Sequence, residues 1–143
     1  MNRWVIDASV ALKWCLPSIE EEFVPQAEQL LDWYGRNKAQ FLVPDLFWPE
    51  IANALRKAVS KGRIDYTWAD KAYSRLKDLN IPTAATFSLV SEALPMAVLH
   101  HRTVYDSVYV VLAQRAFAEL ITADERLANA TAARFPVTWL GAL

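Results

Sequence analysis

The sequence contains almost no cysteine and very little glycine, and both scarcities restrict what the chain can be. Its single cysteine, Cys15, excludes an internal disulfide and cannot by itself build a structural zinc site. Glycine occurs only 3 times in 143 residues, and no cluster of Gly, Ser or Pro is long enough to be a linker. Since no internal repeat or low-complexity segment is present, we expect residues 1–143 to form one domain.

Long hydrophobic runs and an excess of charge of one sign are also missing. The longest apolar stretches, such as residues 108–113, are far shorter than the roughly 18 residues that a membrane span needs. Asp7 interrupts the apolar run near the N-terminus, so no signal-peptide pattern is seen, and we expect a soluble, cytoplasmic protein. Fifteen basic and sixteen acidic residues give a net charge of −1, which predicts that any contact with RNA is local.

Apolar residues, in contrast, are abundant. They make up 54% of the chain, and tryptophan alone occurs 6 times. A fraction this high predicts that some apolar surface meets a partner, and tryptophan is well suited to anchoring an interface. We therefore expect a homodimer.

Short β-like runs alternate with segments of helical spacing along the chain. Strands are predicted at residues 3–6, 40–43, 119–122 and 137–140, with a weaker fifth around 81–86. Helical spacing is found at residues 20–34, 49–60, 66–79, 88–101 and 104–117. This alternation predicts an α/β fold in which helices cover both faces of a parallel sheet.

Two acids stand where predicted strands end. Asp7 follows the first strand directly, and Asp124 follows the strand at 119–122 after one intervening residue. Because ligands of open α/β sheets bind beyond the carboxyl ends of the strands, both acids are expected at the same rim. Ser9 and Thr122 add hydroxyl groups beside them.

Two further acids lie in apolar surroundings. Glu50 stands in DLFWPEIANALRKAV, where helical spacing puts it on one face with Asn53, and Asp106 opens the apolar helix of TVYDSVYVVLAQ. Taken singly, each acid has an ordinary explanation. Asp7 and Asp124 could be helix N-caps, and Glu50 and Asp106 could complement a helix dipole.

Together, three aspartates and one glutamate in a partly buried cleft would repel one another strongly without cations. Hard divalent ions such as Mg²⁺ or Mn²⁺ relieve this repulsion, because carboxylates and water are the ligands that they prefer. Such ions generate hydroxide from water and stabilise a leaving oxygen. The four acids therefore point to metal-assisted phosphodiester hydrolysis.

The order and spacing of these motifs resemble the PIN-domain ribonucleases, and within them the VapC-like toxins of bacterial toxin–antitoxin pairs. The resemblance runs from VIDASVALKW through WPEIANALRKA and VYDSVYVVLAQ to LITADERL. It implies a three-layer α/β/α fold with a central parallel sheet of four or five strands. It also implies one or two Mg²⁺ or Mn²⁺ ions held by the catalytic acids Asp7, Glu50, Asp106 and Asp124, with supporting residues Ser9, Asn53 and Thr122.

The same resemblance implies an endoribonuclease that cleaves RNA, forms a homodimer and is silenced by a cognate antitoxin bound across or near the cleft. Some relatives carry a further acid after the fourth one. In this sequence position 126 is Arg126, so the resemblance does not determine whether a second metal ion is bound.

Other functions fit the pattern less well. A catalytically silent PIN-like binding module would share the fold, although the complete set of acids disfavours it. Among other metal-dependent phosphoesterases, aspartyl-nucleophile phosphatases and four-acid exonucleases place a second acid two residues after the first, where this chain has Ser9. A receiver domain would need a late lysine, and no lysine follows Lys77.

Some other conspicuous residues receive ordinary interpretations. The adjacent His100 and His101 lie at an expected helix end, where histidine is common. The tryptophans fall in apolar helical patterns, which favours core or interface positions over base stacking. A basic run is interpreted as a solvated helix face, with steering of RNA as the alternative; it comprises Arg56, Lys57, Lys61 and Arg63.

Overall fold

Five parallel strands form the centre of the computed structural model, which describes residues 1–143. In the order β3-β2-β1-β4-β5, they are β1 (Asn2–Ile6), β2 (Ala39–Pro44), β3 (Thr83–Ala84), β4 (Glu119–Thr122) and β5 (Val137–Trp139). Every neighbouring pair is parallel. The predicted α/β fold with a parallel sheet is confirmed, and the weak segment at 81–86 does contain an edge strand.

Seven helices connect and cover the strands. They are α1 (Ala8–Cys15), α2 (Val24–Gly35), α3 (Phe47–Ser60), α4 (Tyr66–Asp78), α5 (Val90–His100), α6 (Val104–Arg115) and α7 (Glu125–Thr131). Short 3₁₀ turns lie at Ser18–Glu20, Thr86–Leu89 and Leu140–Ala142. None of the helices combines the length and the apolar character that spanning a membrane requires.

Several helix ends differ from the predicted ones because single residues adopt left-handed backbone. The helix predicted from residue 20 starts at Val24, after Phe23 with φ 57° and with a proline in the first turn. The one predicted to reach residue 117 stops at Arg115, and Phe117 has φ 51°. Pro95, in contrast, does not divide α5, which continues as one helix to His100.

The direction in which the chain crosses the sheet creates a crevice. The chain builds β1, β2 and β3 outward on one side and then returns to place β4 on the other side of β1. Since crossovers between parallel strands are right-handed, the helices before β2 and those before β4 cover opposite faces. The strand order therefore reverses between β1 and β4, and such a switch point is where open α/β sheets bind ligands.

The core explains most of the apolar excess. The side chains of Val5, Ile6, Leu120 and Ile121 are completely buried, as expected for parallel strands that are covered on both faces. Aromatic rings pack around Phe41, with Tyr34 stacked at 4.4 Å and Trp14 at 5.8 Å between ring centroids. Trp14 is thus partly buried against the core, whereas Trp68 on α4 is 46% exposed.

Candidate functional site

Asp7 lies directly beyond β1, at the switch point of the sheet. Its backbone amide donates to the carbonyl oxygen of Ile121 at 3.1 Å, which extends the β1–β4 ladder by one bond. Its side chain is 8% exposed, and Oδ2 accepts hydrogen bonds from Ser9 Oγ at 2.6 Å and Thr122 Oγ1 at 2.7 Å. Although Asp7 precedes α1, its side chain does not cap that helix. The capping explanation is therefore wrong for Asp7.

Both predicted supporting hydroxyls join Asp7 to the turn between β4 and α7. Ser9 Oγ donates to Asp7 and accepts from the amide of Ala123 at 3.0 Å. Thr122 Oγ1 also donates to Asp7, and it accepts from the amide of Asp124 at 3.0 Å. Each hydroxyl thus donates one hydrogen bond to Asp7 and accepts one from a backbone amide, and this fixes the orientation of the buried carboxylate.

Asp124 has the structural role that the sequence left open. Its Oδ1 accepts from the amides of Arg126 at 3.0 Å and Leu127 at 3.2 Å, so the side chain caps α7. The capping explanation is confirmed for this acid. Its other oxygen, Oδ2, has no hydrogen-bond partner and is available to a ligand.

Glu50 lies in the first turn of α3 and contacts a buried tyrosine. Tyr109 is 1% exposed, and its hydroxyl donates to Glu50 Oε1 at 2.6 Å. Burial raises the pKa of Glu50 to about 7, against the effect of the Tyr109 hydrogen bond and with a further contribution from the charges of Asp7 and Asp106. Burial also raises the pKa of Tyr109, which therefore remains a hydrogen-bond donor at neutral pH.

Asp106 lies in the first turn of α6 and pairs with a cation. Its amide donates to Thr103 Oγ1 at 3.0 Å, and its Oδ2 is 3.5 Å from Arg102 Nη2. Burial raises the pKa of Asp106, the Arg102 charge opposes this effect, and the charge of Asp124 adds to it. The Nε atom of Arg102 is buried without a hydrogen-bond partner.

The four acids belong to one electrostatic neighbourhood. After the effect of burial, the charges of Asp106 and Asp124 both raise the pKa of Asp7, and those of Asp7 and Asp106 raise the pKa of Glu50. Even so, no group of three or more acidic, histidine or cysteine side chains has an arrangement that could hold a metal ion. The acids lie at the same edge of the sheet, but their carboxylates contact hydroxyls, amides and a guanidinium of this chain.

Asn53 is not brought into contact with these acids. It is exposed on α3, and its Oδ1 accepts from Arg56 Nε at 3.2 Å. Sequence reasoning, in turn, missed Tyr109 and Arg102. A signal was present for Arg102, which lies four residues before Asp106. For Tyr109 there was none, because its partner Glu50 is distant in the sequence.

Comparison with known proteins gives full-length relatives. Ribonuclease VapC9 of Mycobacterium tuberculosis is 30% identical over 137 residues, which covers 94% of this chain and 95% of the relative. Ribonuclease VapC3 of Pyrobaculum aerophilum is 33% identical over 132 residues, covering 89% and 93%. No family model matches the chain.

Solved structures share the fold. A protein of Pyrobaculum aerophilum gives a TM-score of 0.73 at 20% identity, covering 99% of this chain and 85% of its own. A chain of a toxin–antitoxin complex from Klebsiella pneumoniae gives a TM-score of 0.63 at 15% identity, with 94% of both chains covered. These matches place the three-layer fold of this chain among known structures.

The raised pKa values predict how stability depends on pH. Without metal, we expect the free energy of unfolding to fall as pH rises from about 4.5 to about 7, the interval over which Glu50 titrates in the unfolded and folded states. The folded protein binds more protons than the unfolded chain in this window, so raising pH favours unfolding. Urea denaturation in the presence of chelator at constant ionic strength measures this effect.

Variants test whether Glu50 causes this dependence of stability on pH. Glu50→Gln should flatten the fall, whereas Glu28→Gln, at an exposed position of α2, should leave it unchanged. Tyr109→Phe removes the donor that lowers the pKa of Glu50, and should extend the fall to higher pH. Wild-type stability that rises over the same window would contradict the assignment.

Proposed function

Because the chain belongs to the VapC family of ribonucleases, we propose that it is the endoribonuclease toxin of a toxin–antitoxin pair, with its active site at the rim of Asp7, Glu50, Asp106 and Asp124. The substrate is RNA, and the bond broken is a phosphodiester. A cytoplasmic location is part of the proposal, since RNA is the substrate and the only thiol, Cys15, is free and buried.

The observation that carries the proposal is the burial of Asp7 beside other acids. A buried carboxylate with like charges nearby costs folding free energy, and only part of that cost is offset by the hydroxyls of Ser9 and Thr122. A protein that needs such a carboxylate for a cation or for catalysis can tolerate this cost. The position at the switch point of the sheet supports the same conclusion.

The donor atoms at the rim are of the kind that a hard divalent ion prefers, although the acids are not arranged as a ligand set in this structure. All four acids and the two neighbouring hydroxyls offer oxygen atoms, and oxygen is the donor that Mg²⁺ and Mn²⁺ prefer. Asp7, Glu50, Asp106 and Asp124 would hold the ion, with Asp106 exchanging its contact with Arg102 for it. When bound, the ion would activate a water molecule for attack on the phosphodiester and compensate the charge on the leaving oxygen.

The chain's own groups prepare the rim. Ser9 and Thr122 hold Asp7 in one orientation, and Tyr109 holds Glu50. Arg102 compensates the charge of Asp106. Asn53 is proposed as a supporting residue of the same site because it lies one helical turn from Glu50, although it does not contact the acids.

We expect cleavage of single-stranded RNA by the purified protein to need Mg²⁺ or Mn²⁺ and to stop with chelator. Asp7→Asn and Asp106→Asn should each reduce the rate by at least about 100-fold, because each removes a charged ligand. Asp70→Asn, at an exposed position of α4, is the matched control and should cleave like the wild type. Gel-resolved cleavage is measured together with circular dichroism, which should show all variants folded.

Two outcomes would contradict this proposal. Undiminished cleavage by both variants would remove the rim from consideration, and a folded wild type that is inactive with Mn²⁺ would favour the catalytically silent binding module. Thermal melts separate metal binding from catalysis. An ion at about a hundred times its dissociation constant should stabilise the wild type by about 2.7 kcal/mol, and Asp7→Asn by distinctly less.

We also propose a homodimer formed through α5. This helix exposes Leu94, Val98 and Leu99, whose side chains are 55%, 69% and 68% accessible. Leu94 and Val98, four residues apart, lie on one face of the helix, and Leu99 extends this apolar surface to the side. Burying such a surface against a second copy would remove it from water.

Light scattering at micromolar concentration should therefore give the mass of a dimer. Val98→Asp combined with Leu99→Asp should give a monomer, because it places charges in the apolar contact. Ile19→Asp is the control: Ile19 is 92% exposed but isolated, and its replacement should leave the dimer intact. A wild-type monomer at this concentration would contradict the proposal.

For the antitoxin we propose the apolar groove between α1, α2 and α4. Its volume is about 400 Å³, and apolar residues such as Trp14, Leu31 and Leu76 form most of its lining. Lys71 and Arg75, one turn apart on α4, stand in the lining without an ion pair. This combination favours an antitoxin segment with apolar side chains and accompanying acids.

The test uses the small protein encoded directly upstream, if a short reading frame for a DNA-binding protein lies there. Lys71→Glu combined with Arg75→Glu should weaken its inhibition of cleavage at least about tenfold, because like charges then face each other. Lys77→Glu, on the same helix but outside the groove, should have no effect. Equal inhibition of the wild type and the double variant would contradict this docking site.

A further inference from the structure

A second groove connects the acidic rim with the basic run of α3. It lies between α1 and α3 and has a volume of about 420 Å³. Ser9, Ala123 and Asp124 line one end of it, so it opens from the acidic rim. Lys13, Lys57, Lys61 and Arg63 also line it, together with one further acid, Glu21, and several apolar side chains. The groove therefore leads from carboxylates to cations within one continuous surface.

The helix geometry puts the rim and two of the lysines on the same side of α3. Glu50, Ala54, Lys57 and Lys61 are separated by four, three and four residues, which is the spacing of one helix face. Lys57 lies about two turns beyond Glu50 along the helix axis. Arg56, in contrast, lines a different groove together with Tyr66 and Asp70. The basic run is thus divided between two sides of the helix.

Ion pairs divide the groove's cations further. Arg63 binds Glu20 at 2.7 Å and Glu21 at 3.1 Å, and Lys13 lies 3.6 Å from Glu21. Lys57 and Lys61 are exposed, and neither makes a salt bridge. The cationic charge that remains available in the groove is therefore that of these two lysines.

Binding of an anionic polymer such as RNA requires the positive charge of these lysines, because the acids of the rim repel the polymer. Phosphates that approach Asp7, Glu50, Asp106 and Asp124 meet up to four carboxylates, and the chain as a whole has a net charge of −1. Lysine side chains beside the rim offset that repulsion and hold the strand by its backbone, without regard to base sequence.

We propose that Lys57 and Lys61 are positioning residues that bind two phosphates of single-stranded RNA on one side of the cleaved bond, so that the strand runs along the α1–α3 groove. This inference rests on the proposed ribonuclease function, to which it adds the path of the substrate. The two lysines contact the strand away from the reacting phosphate and take no part in bond breaking.

The experiment measures RNA binding and cleavage separately. Binding of a fluorescein-labelled single-stranded RNA 20-mer of mixed sequence is followed by anisotropy in an Asp7→Asn background, over salt concentrations from 50 to 200 mM. Each phosphate contact on a single strand contributes about −0.7 to the slope of log affinity against log salt. Between these concentrations, the parent should lose about sevenfold more affinity than the Lys57→Ala/Lys61→Ala variant.

Cleavage kinetics in the otherwise wild-type chain give the second measurement. The double alanine variant should raise KM at least about tenfold at low salt while kcat changes less than about threefold, because the lysines act on binding. Lys57→Arg/Lys61→Arg should restore both KM and the salt slope, since it restores the charge. Lys38→Ala/Lys77→Ala is the matched control, because Lys38 precedes β2 at the amino end of the strand, opposite the rim, and neither lysine lines the groove.

The outcomes keep the two proposals apart. A double alanine variant that binds and cleaves like the matched control would overturn the substrate path, whatever the active site does. A wild type that cleaves no RNA with any divalent ion, but binds it with the predicted lysine-dependent slope, would leave the groove in place and overturn the proposed activity. Lysine substitutions that affect only inhibition by the antitoxin would assign the groove to the protein partner and overturn the path.

Discussion

The rest of this site depends on one buried carboxylate, that of Asp7. The backbone ladder between β1 and β4 brings Thr122 beside it, and the first turn of α1 brings Ser9. Both hydroxyls are also fixed by amides of the β4–α7 turn. The strand pairing, the start of α1 and the turn that carries Asp124 are therefore coupled through the same carboxylate oxygen, so that a shift in one would disturb the others.

Each acid of the rim is stabilised by a different kind of group. Asp7 has two hydroxyls, Glu50 a buried phenol, Asp106 a guanidinium, and Asp124 the amides at the start of α7. These partners allow four acids to share a small region without a metal ion. They also explain why the four side chains are not arranged to bind a metal ion. The groups that stabilise each acid also hold its side chain in one rotamer.

The local pattern of the sequence predicted the sheet and the rim, because strand ends and helix starts are encoded nearby in the chain. The importance of Tyr109 was missed because its hydrogen bond to Glu50 arises only when α6 packs near α3. Arg102, in contrast, pairs with Asp106 only four residues away, so its spacing was a signal that went unused. Asn53 shows the limit of helical spacing: three residues place it to one side of Glu50, where it meets Arg56. Helical spacing separates Lys57 from Arg56, but only the packing of α1 against α3 shows that the side with Lys57 lines a groove that reaches the rim.

The middle of the helix that carries Asp106 and Tyr109 has almost no surface. Seven consecutive residues of α6, from Ser107 to Ala113, are buried on all sides of the helix. Such a helix cannot roll or slide without disturbing both the sheet and α5, because interiors are packed close to crystal density. Rearrangements that accompany ligand binding at the rim must therefore occur by rotation about side-chain bonds. Such rotations take picoseconds to nanoseconds at accessible positions. The backbone acts as a fixed frame, and a rearrangement of the Asp106 side chain requires its contact with Arg102 to break.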